Sequence, residues 1–539
     1  MPIPHGRPRP ASRLVAAIAT IASLAPMLTG AASGAESPPA PDSGLVATLS
    51  RLEGAAVTLD QALLAAVDGS IEVSTARADL DAARAALRRE RGAFDPELFG
   101  ETSRSSSDAP TASFFAGAQV LKTDETAGSF GARWRLRWGT ELTASLDAVR
   151  RETNSTYASL NPEYDAGGRL SLRQPLLRGL GGSARVGLTA AERGFEAAQA
   201  RFDDVTLVVR ATVEGAYWDL YAAGRDWAVQ SLSRDRAAAL VEETSLRAQA
   251  GLVGPGQVAN TRVFLAEQEQ ALLDRLEALD AASDRLGTLV GLRPAGDARR
   301  FLTADEPDSA HAVPDEEASV TRALAANLEL HASERALAAL RAHASAAGRD
   351  ALPQLDLFGT LGGAGLAGEG RDIILAFGAE PETLRTATTG DLGESIDQVL
   401  RRTYPNWTIG LSFTLPLGGR RAGGERDRLR AEVARAEHQL EGRRRALADQ
   451  VRTLCRELAN GQKRLAAARD GVSASQEQVR IGLLEYRAGS TTAFELVRLS
   501  ADLAAAQQRH SQALVRSARA ASELRRLTAN GYTGKEMGQ

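Results

Sequence analysis

Residues 170–176 read LSLRQPL and residues 411–417 read LSFTLPL. Each phrase alternates apolar and polar residues, the period-two signature of a strand with two unlike faces. Leu170, Leu172, Leu411, Phe413 and Leu415 share the apolar face; Ser171, Arg173, Ser412 and Thr414 share the polar one. Each phrase reaches a proline, Pro175 or Pro416, and then glycines, before a long stretch of helical character. Proline ends strand pairing and glycine permits sharp redirection, so each phrase reads as a joint where a strand hands over to a helix. The chain writes this joint twice.

Proline placement extends the repetition outward, because proline is excluded from helix interiors and tolerated at joints. Proline-free stretches at 58–94, 183–250 and 256–293 are answered by 315–352 and by everything after Pro416. Both halves open with an Ala-rich helix, AARAALRRERGAF at 82–94 and ERALAALRAHASAAG at 334–348, and each meets a strand at a proline. Each half ends in a helical hairpin whose turn carries a similar phrase, LRAQAGLVGPGQV at 246–258 and EYRAGSTTAFELV at 485–497. A duplicated unit of helix, strands, long helix, turn and helix accounts for the whole order.

The helices are long. Residues 422–487 would span about 100 Å as one helix, with apolar residues at heptad spacing: Val433, Leu440, Leu447 and Leu454, then Val451, Leu458, Leu465, Val472 and Val479. That pattern packs helices side by side in a coiled coil or tube. Between the seams Arg alternates with Asp and Glu, and the formal net charge over 539 residues is only -4. No basic block suggests a nucleic-acid partner.

The N-terminus has Arg7, Arg9 and Arg13, then LVAAIATIASLAPML, then small residues up to Ala35. This is the order of a secretory signal peptide, residues 1–35, and sends the mature chain out of the cytoplasm. No later stretch has the roughly 18 uncharged apolar residues of a membrane helix, so a membrane crossing must use strands. Phe130–Trp138 (FGARWRLRW) and Leu142–Ala148 alternate over lengths that suit strands of a membrane barrel. Cys455 is the single cysteine, so no intrachain disulfide exists, and its helical setting makes it a packing residue.

Other motifs fall away. Gly363, Gly365 and Gly368 spell GxGxxG without the helix and acidic residue that a dinucleotide site needs, and the stretch that follows, 370–391, reads as a mobile loop beyond a strand. The six histidines show no metal-ligand spacing, and no nucleophile motif or phosphate loop occurs. No catalytic residue, cofactor or metal site is expected.

With TLDQALLAAV (58–67), LSLRQPLLRGLGG (170–182), LSFTLPLGG (411–419), AGLVGPGQVANTR (250–262) and YRAGSTTAFELV (486–497) in this order, the chain resembles the TolC-type outer-membrane efflux proteins from residue 58 to about 531. The resemblance implies a mixed α and β membrane protein with an internal two-fold repeat. Three chains, each giving four strands, would form a 12-stranded transmembrane β-barrel in the bacterial outer membrane, continued by a periplasmic α-helical coiled-coil barrel. Four strands cannot close alone, and lipid tolerates only closed barrels or helices. It further implies passive conduction in a tripartite efflux pump or type I secretion system, with a homotrimer, a periplasmic adaptor, an inner-membrane transporter and outer-membrane lipid as partners. A periplasmic coiled-coil adaptor or scaffold is the competing reading, but it has no use for the apolar strand faces.

On this reading residues 36–57 form an N-terminal segment and 58–292 the first repeat, with strands at 95–176 and a helical hairpin at 183–292. A linker spans 293–314. The second repeat covers 315–531, with strands at 353–417 and a hairpin at 420–530, followed by a tail at 532–539. The hairpin 130–149 is additional, and is expected to extend a strand pair outside the bilayer rather than to make an 18-strand trimer. Matched turn to turn, the periplasmic gate candidates are Gln257, Asn260 and Arg262, and Tyr486, Thr491, Glu495 and Arg498. The glutamine, threonine and arginine at 257, 491 and 498 depart from the family's usual latch.

Overall fold

The computed structural model describes residues 43–529 except 114–115, 297, 310–311, 376–381, 385 and 387–388. The expected signal peptide and C-terminal tail lie outside these residues. In the first half, α1 (Ser43–Leu49) and β1 (Ala55–Val57) lead to α2 (Leu59–Gly69) and α3 (Ile71–Gly92). Four strands follow, β2 (Glu97–Pro110), β3 (Val120–Arg135), β4 (Glu141–Thr153) and β5 (Leu160–Pro175), then the hairpin α4 (Val186–Gln249) and α5 (Pro255–Val290). After β6 (Phe301–Thr303), the order returns as α6 (Glu316–Ala326), α7 (Leu328–Asp350) and β7 (Gln354–Gly370). Two short strands, β8 (Ile373–Leu375) and β9 (Glu382–Leu384), precede α8 (Leu392–Leu400), β10 (Tyr404–Thr414), α9 (Arg420–Arg487) and α10 (Ala493–Leu527).

Local chemistry explains the breaks. The stretch 58–94 is two helices, not the single one its lack of proline suggests: Ser70 closes α2 and its hydroxyl accepts from Val73 N–H to open α3. Asn327 does the same between α6 and α7, accepting from Leu330 N–H. A short polar side chain satisfies orphan donors at a helix start better than it fits mid-helix. The phrase TLDQ opens α2 as a capping box, with Thr58 and Gln61 bonding each other's backbone N–H. Both long helices stop at an Ala-Gly pair, where Gly251 (φ 71) and Gly489 (φ 79) take the left-handed turn. Leu252 N–H then reaches Arg247 C=O and Ser490 N–H reaches Glu485 C=O, each at 2.9 Å.

The helices form one layer. Near the sheet, α3, α4, α7 and α9 are neighbours in that order; farther away α5, α4, α10 and α9 are. One core joins Val213, Tyr217 and Leu220 of α4 to Ala62 and Ala66 of α2, Leu279 and Leu286 of α5 and Val515 of α10. A second joins Leu440, Leu447, Val451 and Cys455 of α9 to Ala323, Leu330 and Leu337. The expected heptad seam thus forms the α9 side of this core, and the Cys455 thiol is buried in it. The linker 293–314 is more structured than a tether: β6 pairs in parallel with β1. Asp305 beside it accepts from Leu59 N–H at 2.6 Å and from the Tyr217 hydroxyl at 3.0 Å.

The strands make one antiparallel sheet of six in the order β10-β7-β5-β4-β3-β2. The additional hairpin, β3 with β4, pairs between β2 and β5 and does not stand apart, so one chain holds six strands in the sheet where four were expected in the barrel. Gly363, Gly365 and Gly368 all lie in β7. They are glycines for lack of room. A Cβ on Gly365 would lie 1.9 Å from Ser395 C=O of α8, and one on Gly368 would lie 2.5 Å from Pro162 C=O.

Candidate functional site

Strand register sorts the side chains by face. Leu98, Ala132, Ala144, Leu170, Leu361 and Trp407 fall in one cross-strand row, and Trp134, Leu142, Leu172, Gly359 and Ile409 in the next. Leu411 and Phe413, opposite Leu357 and Leu355, continue this face. Leu415 follows just beyond β10. The expected apolar positions Leu170, Leu172, Leu411, Phe413 and Leu415 are therefore gathered on one surface, each 39% to 65% exposed in the single chain. An apolar surface this wide and this exposed needs an apolar surrounding or a partner.

The opposite face is charged. Arg173 meets Asp356 at 2.6 Å and Glu141 at 3.4 Å; Arg135 meets Glu141 at 2.7 Å; Gln354 donates to Asp356 at 2.7 Å. Arg151 joins Glu163 at 2.9 Å. These pairs run across β7, β5, β4 and β3 as a ladder of alternating sign. Ser171 sits on the same face and donates to Thr143 C=O at 3.3 Å, while Ser412 and Thr414 stand opposite Asp356 and Gln354. Two aromatic rings, Phe99 and Phe358, lie over the glycines directly opposite them, Gly131 and Gly410. Asp356 and Glu141 are site residues that sequence reading missed. Asp356 lies in the phrase ALPQLDLFG, where alternation with Leu355 and Leu357 was the available signal.

At the far ends of the hairpins, the turns 250–254 and 488–492 hold the other candidate residues. Glu495 and Arg498 pair with each other along one helix, and the guanidinium holds the Glu495 carboxyl below its usual range. Gln257 and Thr491 are half-buried; Asn260 and Arg262 are exposed. Tyr486 differs from an exposed latch residue: its ring is 1% exposed, packed between the two hairpins of the same chain. Its hydroxyl shares a 2.9 Å hydrogen bond with Thr244, and Arg247 lies 4.5 Å over its ring. Arg247 also donates to the carbonyls of Tyr486 and Arg487, at 2.8 and 2.9 Å. Thr244 and Arg247 were not singled out in the sequence, although Arg247 lies in the repeated phrase that precedes the first turn.

Among the described residues no group of His, Cys, Asp and Glu could hold a metal ion, and no helix is long and apolar enough to cross a membrane.

Comparison with known proteins adds three findings. Residues 320–530 match the family model described as outer membrane efflux protein. The whole described chain is similar in structure to the outer-membrane channel OprN, with a TM-score of 0.62 and 20% identity over 88% of this chain and 90% of that one. It is similarly close to VceC of Vibrio cholerae (0.62, 16% identity, 88% and 97% covered) and CmeC of Campylobacter jejuni (0.60, 14% identity, 89% and 87% covered). No curated protein sequence matches. At these identities the likeness establishes the fold.

Proposed function

We propose that this chain, an outer membrane efflux protein by the family match of its second half and by its fold, is one third of a passive duct across the bacterial outer membrane and periplasm. The observation that carries the reading is the two-faced sheet standing on long helical hairpins. Its apolar surface suits lipid, its charged surface suits a water-filled lumen, and β2 and β10 leave unpaired edges that only further copies close without an open edge in lipid. The hairpins then continue the lumen through the periplasm as a helical wall, with the turns at 250–254 and 488–492 forming its inner end.

A passive tube supplies neither energy nor substrate choice. An inner-membrane transporter and a periplasmic adaptor provide both, in a tripartite efflux pump or in type I secretion. The gate candidates Gln257, Asn260, Arg262, Thr491, Glu495 and Arg498 sit at the end that meets them; Tyr486 and Arg247 hold the two hairpins of one chain together behind it.

Extraction of the mature protein tests the proposal. A duct requires detergent for release, migrates as a trimer that heating dissociates, and conducts ions in a planar bilayer. Release by salt or osmotic shock would overturn it in favour of a periplasmic coiled-coil adaptor.

A further inference from the structure

The hairpin β3–β4 has no counterpart in the second half of the chain, and its place decides the bore of the duct. We infer that β3 and β4 are membrane-spanning wall strands, so that three copies of the six-stranded sheet close as an 18-stranded barrel. The inference rests on the trimeric duct proposed above.

Four observations carry it. The first is height. The β3–β4 turn is seated at the helix junction, where Gly181 N–H donates to Trp138 C=O at 3.0 Å and a Cβ on Gly139 would lie 2.5 Å from Gly179 C=O. From there β4 runs in unbroken register beside β5, Glu141 opposite Arg173 through Arg151 opposite Glu163, and β3 runs beside β4. Any membrane that β5 crosses, β4 crosses beside it.

The second is facing. Phe130, Trp134, Leu142 and Leu146 continue the apolar surface of Leu170 and Leu172, and Arg133, Arg135 and Glu141 continue the charged one. A hairpin standing in water would have no use for Phe130 at 61% exposure. The third is slant. On β10 the apolar run lies at Trp407 and on the helix side of its row, whereas on β4 it extends to Leu146 on the other side. A band that climbs from strand to strand is the stagger that tilted strands need in order to close.

The fourth is width. Strands tilted by roughly 40° take up about 6 Å of circumference each, so six occupy about 38 Å. Four packed helices, at about 9–10 Å apiece, occupy the same span, and four helices of each chain, α3, α4, α7 and α9, connect directly to strands of the sheet. A six-stranded sheet therefore meets its helical layer without a taper.

The test uses full-length trimer in a Cys455→Ala background, with single cysteines carrying a bimane fluorophore, in phosphatidylcholine vesicles doped with acyl-chain nitroxide lipid. Leu146→Cys and Phe130→Cys read the hairpin on two different strands, so one non-folding variant leaves the other; Leu411→Cys reads β10. The expected result is loss of fluorescence at 146 and 130 to the same depth as at 411, together with altered conductance when Thr143→Cys is modified by a charged, water-soluble thiol reagent. Quenching at 411 without quenching at 146 and 130 would place the hairpin outside the bilayer and overturn the inference. Absence of quenching at all three would instead overturn the outer-membrane reading on which it rests.

Discussion

Removing the Arg247 side chain should loosen the joint between the two helical hairpins of one chain. The guanidinium donates to two carbonyls at the end of α9 and covers the Tyr486 ring. Those carbonyls belong to the last turn of a helix, where intrahelical donors run out; Gly489 N–H also reaches that of Tyr486, at 3.0 Å. A hydrogen bond from a charged donor contributes about 1.5–3 kcal/mol, and the cation over the ring adds about 0.5–1 kcal/mol at a partly exposed site. Water recovers part of this once the arginine is gone, so Arg247→Ala should weaken the joint by about 2–3 kcal/mol. Such a loss corresponds to a 30- to 150-fold rise in local opening, about tenfold for every 1.4 kcal/mol. Hydrogen exchange of the α9 amides at 482–487 in detergent-solubilised trimer measures it, and amides around Val451, in the same helix but far from the joint, serve as the reference. Tyr486→Phe, which removes only the bond to Thr244, should cost about 1 kcal/mol. Unchanged exchange at 482–487 in Arg247→Ala would refute the reasoning and reduce the arginine to a solvated helix-end residue.

The other predictions concern the gate, the lumen, the sheet and the core around Tyr217. Arg498→Ala should raise single-channel conductance by freeing Glu495 and loosening the α10 end; unaltered conductance removes Arg498 from the gate. Asp356→Asn leaves Arg173 without its nearest carboxylate and should shift the reversal potential in a salt gradient toward anion preference, whereas an unshifted potential places that pair away from the ion path. Gly365→Val drives a side chain into Ser395 C=O and should displace α8 and lower the yield of heat-sensitive trimer; an undiminished yield means that α8 gives way freely. Burial pushes the Tyr217 hydroxyl up from 10.0 to about 12. The folded chain therefore keeps this proton while the unfolded chain releases it, so the stabilisation is full below the unfolded value and is lost as pH rises from about 10 toward about 12. The wild-type melting temperature should fall through this window more steeply than that of Tyr217→Phe; equal slopes would show that the group contributes nothing.

What could be read from sequence followed from periodicity. Period two identified the strand faces of LSLRQPL and LSFTLPL, and heptad spacing identified Leu440, Leu447 and Leu458 as a buried seam. The double copy of Ala-Gly turns marked both hairpins. The helix breaks at Ser70 and Asn327 escaped because proline absence was taken as continuity, while Ser and Asn can end one helix and open the next without it. The role of the β7 glycines was not legible because glycine signals mobility and close approach alike, and only the position of α8 distinguishes them. Tyr486 was read as a gate candidate at the turn; its burial depends on α4, more than 200 positions away in sequence. Long-range partners of that kind leave no local pattern.

The two rods that set the depth of the helical wall, α4 with 64 residues and α9 with 68, are nearly equal, although the first half of the chain contributes two strands more than the second to the six-stranded sheet. In the duct inferred above, reach and calibre are thus encoded in different places. Lengthening both rods by matched numbers of heptads would deepen the tube and leave its girth alone, while adding or deleting a strand pair between β2 and β5 would change girth and leave reach alone. A lineage of such chains could fit envelopes of different thickness and cargoes of different size through two independent adjustments, neither of which disturbs the strand-to-helix joints at Pro175 and Pro416.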